Sequence, residues 1–465
     1  MGRIALAAEQ LMQNVTNHSM KQLKLASLLV LGAVIFACND DDDLVTPPIP
    51  EPTVDTVLVG TLTASKTLTS DRVWILKGYV YVPNGVTLTI QPGTTIKSDV
   101  AEKGALCIER GGKIDANGSA DKPIVFTSGK AAGDRAPGDW GGIVILGRAR
   151  TNRSSTPVIE GGLDRPYGGT DDADNSGVLR YIRIEYAGIA AFANSEVNAL
   201  TLGGVGSGTT IEYVQTAYAN DDAYEFFGGK VNAKYLVAAY TADDDFDFDF
   251  GYTGKIQYAV SLRDPAFVDG GDAGNGIECD NDNPATTATP YTRPVISNMT
   301  LVGPNNAANT AANHNFANRW RRNTRFVLRN SILMGYQKGG FSIEQDSTAS
   351  FYKQDLSVFN DNLVHAVASP YRTASLSSIT LTGAEMQTKA ESKGCITYTS
   401  AADIQLENPF VLTAPNFLPK AGSPALSGAK YDGDLDGFFT TGNYRGAFGT
   451  TNWLTGWTRF FTNGQ

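Results

Sequence analysis

Thr209-Thr-Ile-Glu-Tyr-Val-Gln-Thr-Ala-Tyr218, Val231-Asn-Ala-Lys-Tyr-Leu-Val-Ala-Ala-Tyr240 and Thr253-Gly-Lys-Ile-Gln-Tyr-Ala-Val-Ser-Leu262 are three versions of one unit. Each follows a short run punctuated by glycine: Asn198-Ala-Leu-Thr-Leu-Gly-Gly, Tyr224-Glu-Phe-Phe-Gly-Gly and Asp247-Phe-Asp-Phe-Gly-Tyr. Tyr213 and Tyr235 are 22 residues apart, and Tyr235 and Tyr258 are 23 apart, so the period is nearly fixed. The runs are rich in Val, Ile, Tyr, Phe and Thr and are separated by Gly, Asn and Asp, which is strand and turn chemistry. A unit this small cannot bury its own apolar face. Stacking one coil on the next at about 4.8 Å pairs every strand with a neighbour and closes a continuous core. The expected fold is therefore all-β, a right-handed parallel β-helix. The spacing fits neither a leucine-rich repeat nor a propeller blade. Phe226, Phe248, Ile211, Tyr235 and Val260 are the expected inward residues.

The same alternation of strand runs and turns extends through Val73–Lys97, Ala105–Gly118 and Pro123–Ser128, and resumes at Phe326–Met334 and Phe341–Glu344. Two polar stretches, 148–176 and 281–325, interrupt it as long insertions, and insertions of that length are usually functional or mobile. Leu381–Ala390 is expected to hold one short helix. From about residue 414 onward, Trp453 and Trp457 are expected to cap the open end, where strand edges would otherwise be exposed. The β-helix domain is thus assigned to 55–465.

The 465 residues are 42% hydrophobic and 18% charged, with net charge −10. A solenoid of this length can bury a large core. The acidic balance leaves no basic stripe and excludes a nucleic-acid footprint. Met20-Lys-Gln-Leu-Lys24 followed by apolar Leu25–Ala37 has the form of a secretory signal, residues 20–37, too short to span a bilayer. Residues 1–19 are expected to be an upstream extension. Ile35-Phe-Ala-Cys38 resembles a bacterial lipobox, which implies lipidation of Cys38. The Asp40–Asp43 run after it resembles a surface-export signal, and the Pro-rich residues up to 54 would form a stiff linker. Cys107, Cys279 and Cys395 are too widely spaced for a metal or redox motif.

Ile90-Gln-Pro-Gly-Thr-Thr-Ile-Lys97, Gly138-Asp-Trp-Gly-Gly142, Gly177-Val-Leu-Arg-Tyr-Ile-Arg-Ile-Glu-Tyr-Ala-Gly188 and Asn220-Asp-Asp-Ala-Tyr-Glu-Phe-Phe-Gly-Gly229 resemble the parallel β-helix surface lipoproteins of Bacteroidetes. The resemblance implies fold and outer-membrane location, with no established activity.

Acids recur at one place on successive coils. Asp221, Asp222 and Glu225 are followed one coil later by Asp243, Asp244, Asp245, Asp247 and Asp249 and later again by Glu278, Asp280 and Asp282. Asp222 and Glu225 recur 22 residues on as Asp244 and Asp247, and the expected ligands are Asp221, Asp222, Glu225, Asp244, Asp247 and Asp249. Stacked carboxylates repel unless protonated or neutralised, and hard oxygen donors in that number suit Ca²⁺. Such a site resembles the calcium site of pectate-lyase-like β-helices, with Arg263 available as base or charge clamp. The alternative is a solvated acidic turn face in which Asp caps backbone amides. Asp432, Asp434 and Asp436 resemble the start of a calcium loop, although Asn443 stands where its last acid belongs. Arg319, Trp320, Arg321 and Arg322 could grip an anionic ligand. No catalytic residue is assigned.

The reading is a lipid-anchored, cell-surface module that contacts the membrane through its lipid and binds a glycan or an outer-membrane protein partner. The alternative is a calcium-dependent polysaccharide lyase or glycoside hydrolase. The latter requires carboxylates, a metal and a basic group to converge in a groove.

Overall fold

The computed structural model describes residues 56–192, 195–271 and 273–465. Cys38, the signal segment and the linker lie outside the described residues. The chain winds as a right-handed parallel β-helix with three sheets running its length. The first sheet stacks Lys66–Leu68, Thr87–Ile90 and Lys113–Asn117, then the leading halves of Gly177–Glu185, Thr210–Ala217, Asn232–Ala239, Lys255–Leu262 and Val295–Val302, then Val327–Arg329 and Val358–Asn360. The second stacks Thr95–Ser98, Ile124–Thr127, the trailing halves of the same long strands, Ile332–Tyr336 and Leu363–Ala366. The third stacks Ala105–Ile108, Gly142–Leu146, Leu200–Gly203, Tyr224–Phe227, Phe246–Asp249, Ile277–Cys279, Arg319–Trp320, Phe341–Glu344 and Tyr371–Ala374.

Inward residues form registered rows. Phe226, Phe248, Cys279, Trp320 and Ile343 line the third sheet, and Ile211, Ala233, Ile256, Ile296 and Leu328 line the first, all fully buried in one core. Stacked rings such as Phe226 on Phe248, 5.0 Å apart, add about 0.5–1.5 kcal/mol beyond burial. Trp320 stacks on Phe326 at 4.2 Å inside this core.

Each long strand bends from the first sheet to the second at one left-handed residue. The series is Tyr181, Tyr213, Tyr235, Tyr258 and Asn298, continued by Asn330 at the corner between Val327–Arg329 and Ile332–Tyr336, with φ between 53° and 61°. A non-glycine residue held there costs about 1–3 kcal/mol. The tyrosines offset this by stacking their rings outside the core at 4.4, 4.3 and 5.1 Å. Asn tolerates the conformation through its own side-chain hydrogen bonds. Tyr235 is therefore a half-buried outer residue, not an inward one. Val260 is buried, but on the outer side of the second sheet.

Buried Trp457 packs edge-on against Tyr181 and Tyr213, Trp453 packs against Tyr235, and Phe461 packs against Tyr186 and Tyr218. Gln215 exchanges two hydrogen bonds with the Arg459 backbone, and Gly133 N–H donates to Gly464 O. These tryptophans thus lie along the side of the solenoid as part of a strap, and do not sit over its end. The end is closed by the helix Gly383–Ser392, which inserts Met386 and Ala390 into the core and is started by a Thr382–Glu385 capping box. A second helix, Asp346–Lys353, was not foreseen. The stretch 281–325 is not one insertion, because it contains the strands Val295–Val302 and Arg319–Trp320. The insertion 148–176 is real. Its Ile159, Leu163 and Tyr167 bury Ala105, Cys107, Val144 and Leu146 on the outside of the third sheet. Among the described residues no helix is long and apolar enough to cross a membrane.

Candidate functional site: an acidic groove on the third sheet

Alternation along each strand sends every second residue of the third sheet outward. One outward row is Thr201, Glu225, Asp247, Glu278, Arg319 and Ser342. The neighbouring row holds Phe227, Asp249, Asp280 and Arg321. Parallel register therefore places Glu225, Asp247 and Glu278 on consecutive coils, as the 22-residue spacing predicts.

A third row lies in the turns just before these strands and consists of Asn198, Asp222, Asp244 and Asn275. Each accepts, through one side-chain oxygen, a backbone N–H from the next coil: Asp222 N–H to Asn198 Oδ1 at 3.2 Å, Asp244 N–H to Asp222 Oδ1 at 2.9 Å, Asn275 N–H to Asp244 Oδ1 at 2.5 Å and Phe316 N–H to Asn275 Oδ1 at 3.2 Å. The capping role foreseen for Asp in these turns is thus present. It is performed equally by neutral Asn at 198 and 275, so the ladder does not require the charge at 222 and 244.

These rows converge on a cavity of about 670 Å³ lined by Asp221, Asp222, Glu225, Asp243, Asp244, Asp247, Asp249, Glu278 and Asp280, with Arg321 and Arg322 at one end and Glu160 at the other. Oxygens of Asp221, Asp222 and Asp243 lie within 4.8 Å of one another, as do those of Asp222, Glu225 and Asp247. Asp222 belongs to both sets. Asp244 and Asp249 stand outside them, and Asp249 Oδ1 accepts from Phe250 N–H at 2.7 Å.

Burial is the largest cause raising the pKa of Asp222, Glu225, Asp244, Asp247 and Asp249 well above the ordinary carboxylate range. The nearest acids add to it: Asp221 for Asp222, Glu160 for Glu225, Glu278 for Asp244 and Asp247, and Asp280 for Asp249. Asn198 donates to Glu225. At the other end the acids are neutralised. Arg321 binds Glu278 and Asp280, Arg322 binds Asp280, and Arg319 bridges Glu278 and Glu344. Burial disfavours the charged form of Arg321, but Glu278 and Asp280 outweigh it and raise its pKa, so the guanidinium stays charged.

An oxygen-only and mutually repelling set of carboxylates could in principle coordinate a divalent ion, which would remove the repulsion that burial amplifies. The buried Thr201 hydroxyl, on the same outward row next to Glu225, has no hydrogen-bond partner among the described residues.

Other sequence-based candidates fall elsewhere. Arg263 is not at the groove. It is 1% exposed and pairs inward with Asp245 at 3.0 Å, beneath the turn. Trp320 is a core residue, which removes it from any ligand-gripping cluster, while Arg319, Arg321 and Arg322 are engaged with acids. Asp432, Asp434 and Asp436 do not converge as a calcium loop. They separate to Arg329, Arg293 and Lys255, and Leu435 and Phe439 pack on Val295 and Val327, so this loop clasps the outside of the first sheet. Glu160 and Asn198 at the groove were not among the expected residues, and Asp243, part of the expected acid cluster, joins Asp221 and Asp222 there. Aligning the repeats one unit further back would have found Asn198, whereas Glu160 sits in an insertion with no periodic signal.

Comparison with family models agrees with this architecture. The model of the pectate-lyase-like β-helix domain family matches residues 60–405. Among solved structures, the crystal structure of pectate lyase Pel9A aligns at 12% identity with a TM-score of 0.35, covering 80% of this chain and 89% of that chain. No curated protein matches. With the family model spanning most of its length, the chain belongs to the pectate-lyase-like β-helix domain family.

Proposed function

We propose that this protein is a calcium-dependent, carbohydrate-active β-helix protein acting on an acidic polysaccharide, as a lyase or a glycoside hydrolase, in the groove of the third sheet. The observation behind this reading is the convergence of desolvated carboxylates and charged guanidinium groups in one cavity, within a family named for its likeness to pectate lyases. Asp222, Glu225 and Asp247 would hold the ion, with Asp221 and Asp243 completing its surroundings. When bound, Ca²⁺ would supply a positive centre for a sugar carboxylate. Arg321 and Arg322 would orient the same anionic chain through charge-assisted hydrogen bonds. Asp249, whose surroundings favour the protonated form more than water does and which stands outside the two oxygen sets, would be the group to deliver a proton to a leaving oxygen. Arg321, fixed in its charged state, serves binding and not proton abstraction.

The test is incubation of the purified protein with a panel of polysaccharides including polygalacturonate and alginate, with calcium or chelator. Calcium-dependent appearance of new reducing ends is expected, and unsaturated ends would identify elimination. Binding without cleavage would leave a glycan-binding module, and no interaction with any acidic polysaccharide would refute the proposal.

For location we propose lipidation at Cys38 and display at the outer membrane, supported by the lipobox-like Ile35-Phe-Ala-Cys38 and the acidic run after it. Cys38→Ala is expected to release the protein from the membrane fraction. Unchanged fractionation and mature mass would refute the anchor.

A further inference from the structure

Along the solenoid axis the outward positions that flank the groove, Thr201 on one side and Ser342 on the other, are covered. Toward the first coils, the outward positions next to Glu225 and Phe227 are already covered: Thr201 is 2% exposed, and a Cβ on Gly203 would meet the Tyr167 ring at 3.0 Å. Tyr167 also covers Phe227, with ring centroids 6.1 Å apart. The insertion that carries Tyr167 is fixed to the first coils by the Tyr79 hydroxyl, which donates to Gly161 O at 2.9 Å, and by Arg165, which pairs with Glu109 at 2.6 Å and lies over the Tyr81 ring. Toward the last coils, Arg319 spans Glu278 at 3.1 Å and Glu344 at 2.8 Å, laying its side chain across the outward row. The open coils are those of Glu225, Asp247 and Glu278. At about 4.8 Å per coil this is roughly 10 Å from first to third. That length matches a couple of sugar rings, not a running polymer.

Resting on the function proposed above, we infer that the site takes a chain end or a short oligosaccharide of an acidic polysaccharide and excludes the interior of the polymer. The wall formed by the 148–176 insertion is the specificity determinant. A polymer lying along the third sheet would have to displace Tyr167 and the apolar cluster beneath it, whereas a terminus can enter and stop against Glu160 of the same insertion.

The test uses the full protein in millimolar calcium with polygalacturonate at two mean lengths and equal mass, together with short oligogalacturonates. Binding capacity is expected to rise in proportion to the number of chain ends, and an excess of the short oligosaccharide should compete the polymer off completely. Capacity set by polymer mass irrespective of length, with weak competition by the oligosaccharide, would overturn the end-binding inference and leave the proposed function standing. Absence of binding to every acidic polysaccharide and oligosaccharide, these included, would remove both.

Discussion

The outer surfaces of the second and third sheets are built on the same coils and in the same register, yet they end in opposite states. On the second sheet, Gln215, Tyr218 and Tyr186 all find partners in the 444–465 strap, and Trp457 is completely buried there. On the third sheet, the equivalent outward positions Glu225, Asp247 and Asp249 face a cavity, at one end of which Arg321 pairs with Glu278 and Asp280. The contrast teaches that the solenoid dictates only spacing. Where a strap supplies apolar surface the rows become structure, and where none covers them the stacked carboxylates are left lining a cavity.

Removing the strap's anchor should have the largest effect. Trp457→Ala should cost about 3–5 kcal/mol, because it leaves a cavity against Tyr181 and Tyr213. Denaturant unfolding would measure it, and a loss below 1 kcal/mol would mean that the strap contributes little to the fold.

The opposite sign is expected on the third sheet. Without calcium, Asp222→Asn should stabilise by about 1 kcal/mol or more, the scale of a buried, poorly satisfied charged group. Asn keeps the hydrogen bond to the next coil, as Asn198 and Asn275 already do. Thermal melting in chelator would show it, and destabilisation would mean that the charge is structural.

The same groups set a pH dependence. Their folded pKa values lie above the unfolded ones, so the folded state holds more protons than the unfolded state between the two values. Stability of the metal-free protein should therefore fall as pH rises from the ordinary carboxylate value of about 4 upward. Saturating calcium should flatten this slope, with stabilisation of about 2.7 kcal/mol at a hundredfold excess over Kd. Melting curves across pH with calcium and with chelator test both halves.

The smallest effect belongs to the exposed clasp. Asp434→Ala removes a partly exposed pair with Arg293 and should change stability by about 0–1 kcal/mol, with no change in calcium uptake. A loss of calcium binding would restore the loop that Asp432, Asp434 and Asp436 resemble.

These outcomes bear on how far the sequence could be read. The fold and the alignment of Glu225 with Asp247 were legible because a parallel solenoid converts a 22-residue period directly into adjacency. The faces of Tyr235 and Trp320 were not. The left-handed corner at Tyr235 interrupts simple alternation, and Trp320 sits between two arginines that make its strand look like a polar loop. The true partners of Asp432, Asp434 and Asp436 lie more than 100 residues away, where local spacing carries no information. The closure of the groove by Glu160 and Tyr167 depends on where a non-repeating insertion folds back, which periodicity does not encode.

The central claim is that the charge at Asp222 exists for a cation and not for the ladder. Calorimetric titration of calcium into the wild type and into Asp222→Asn tests it most directly. Saturable uptake by the wild type at or below millimolar calcium, lost or strongly weakened in a variant that melts no lower in chelator, is the predicted result. No uptake by the wild type at millimolar calcium, with melting unmoved by chelator, would contradict it.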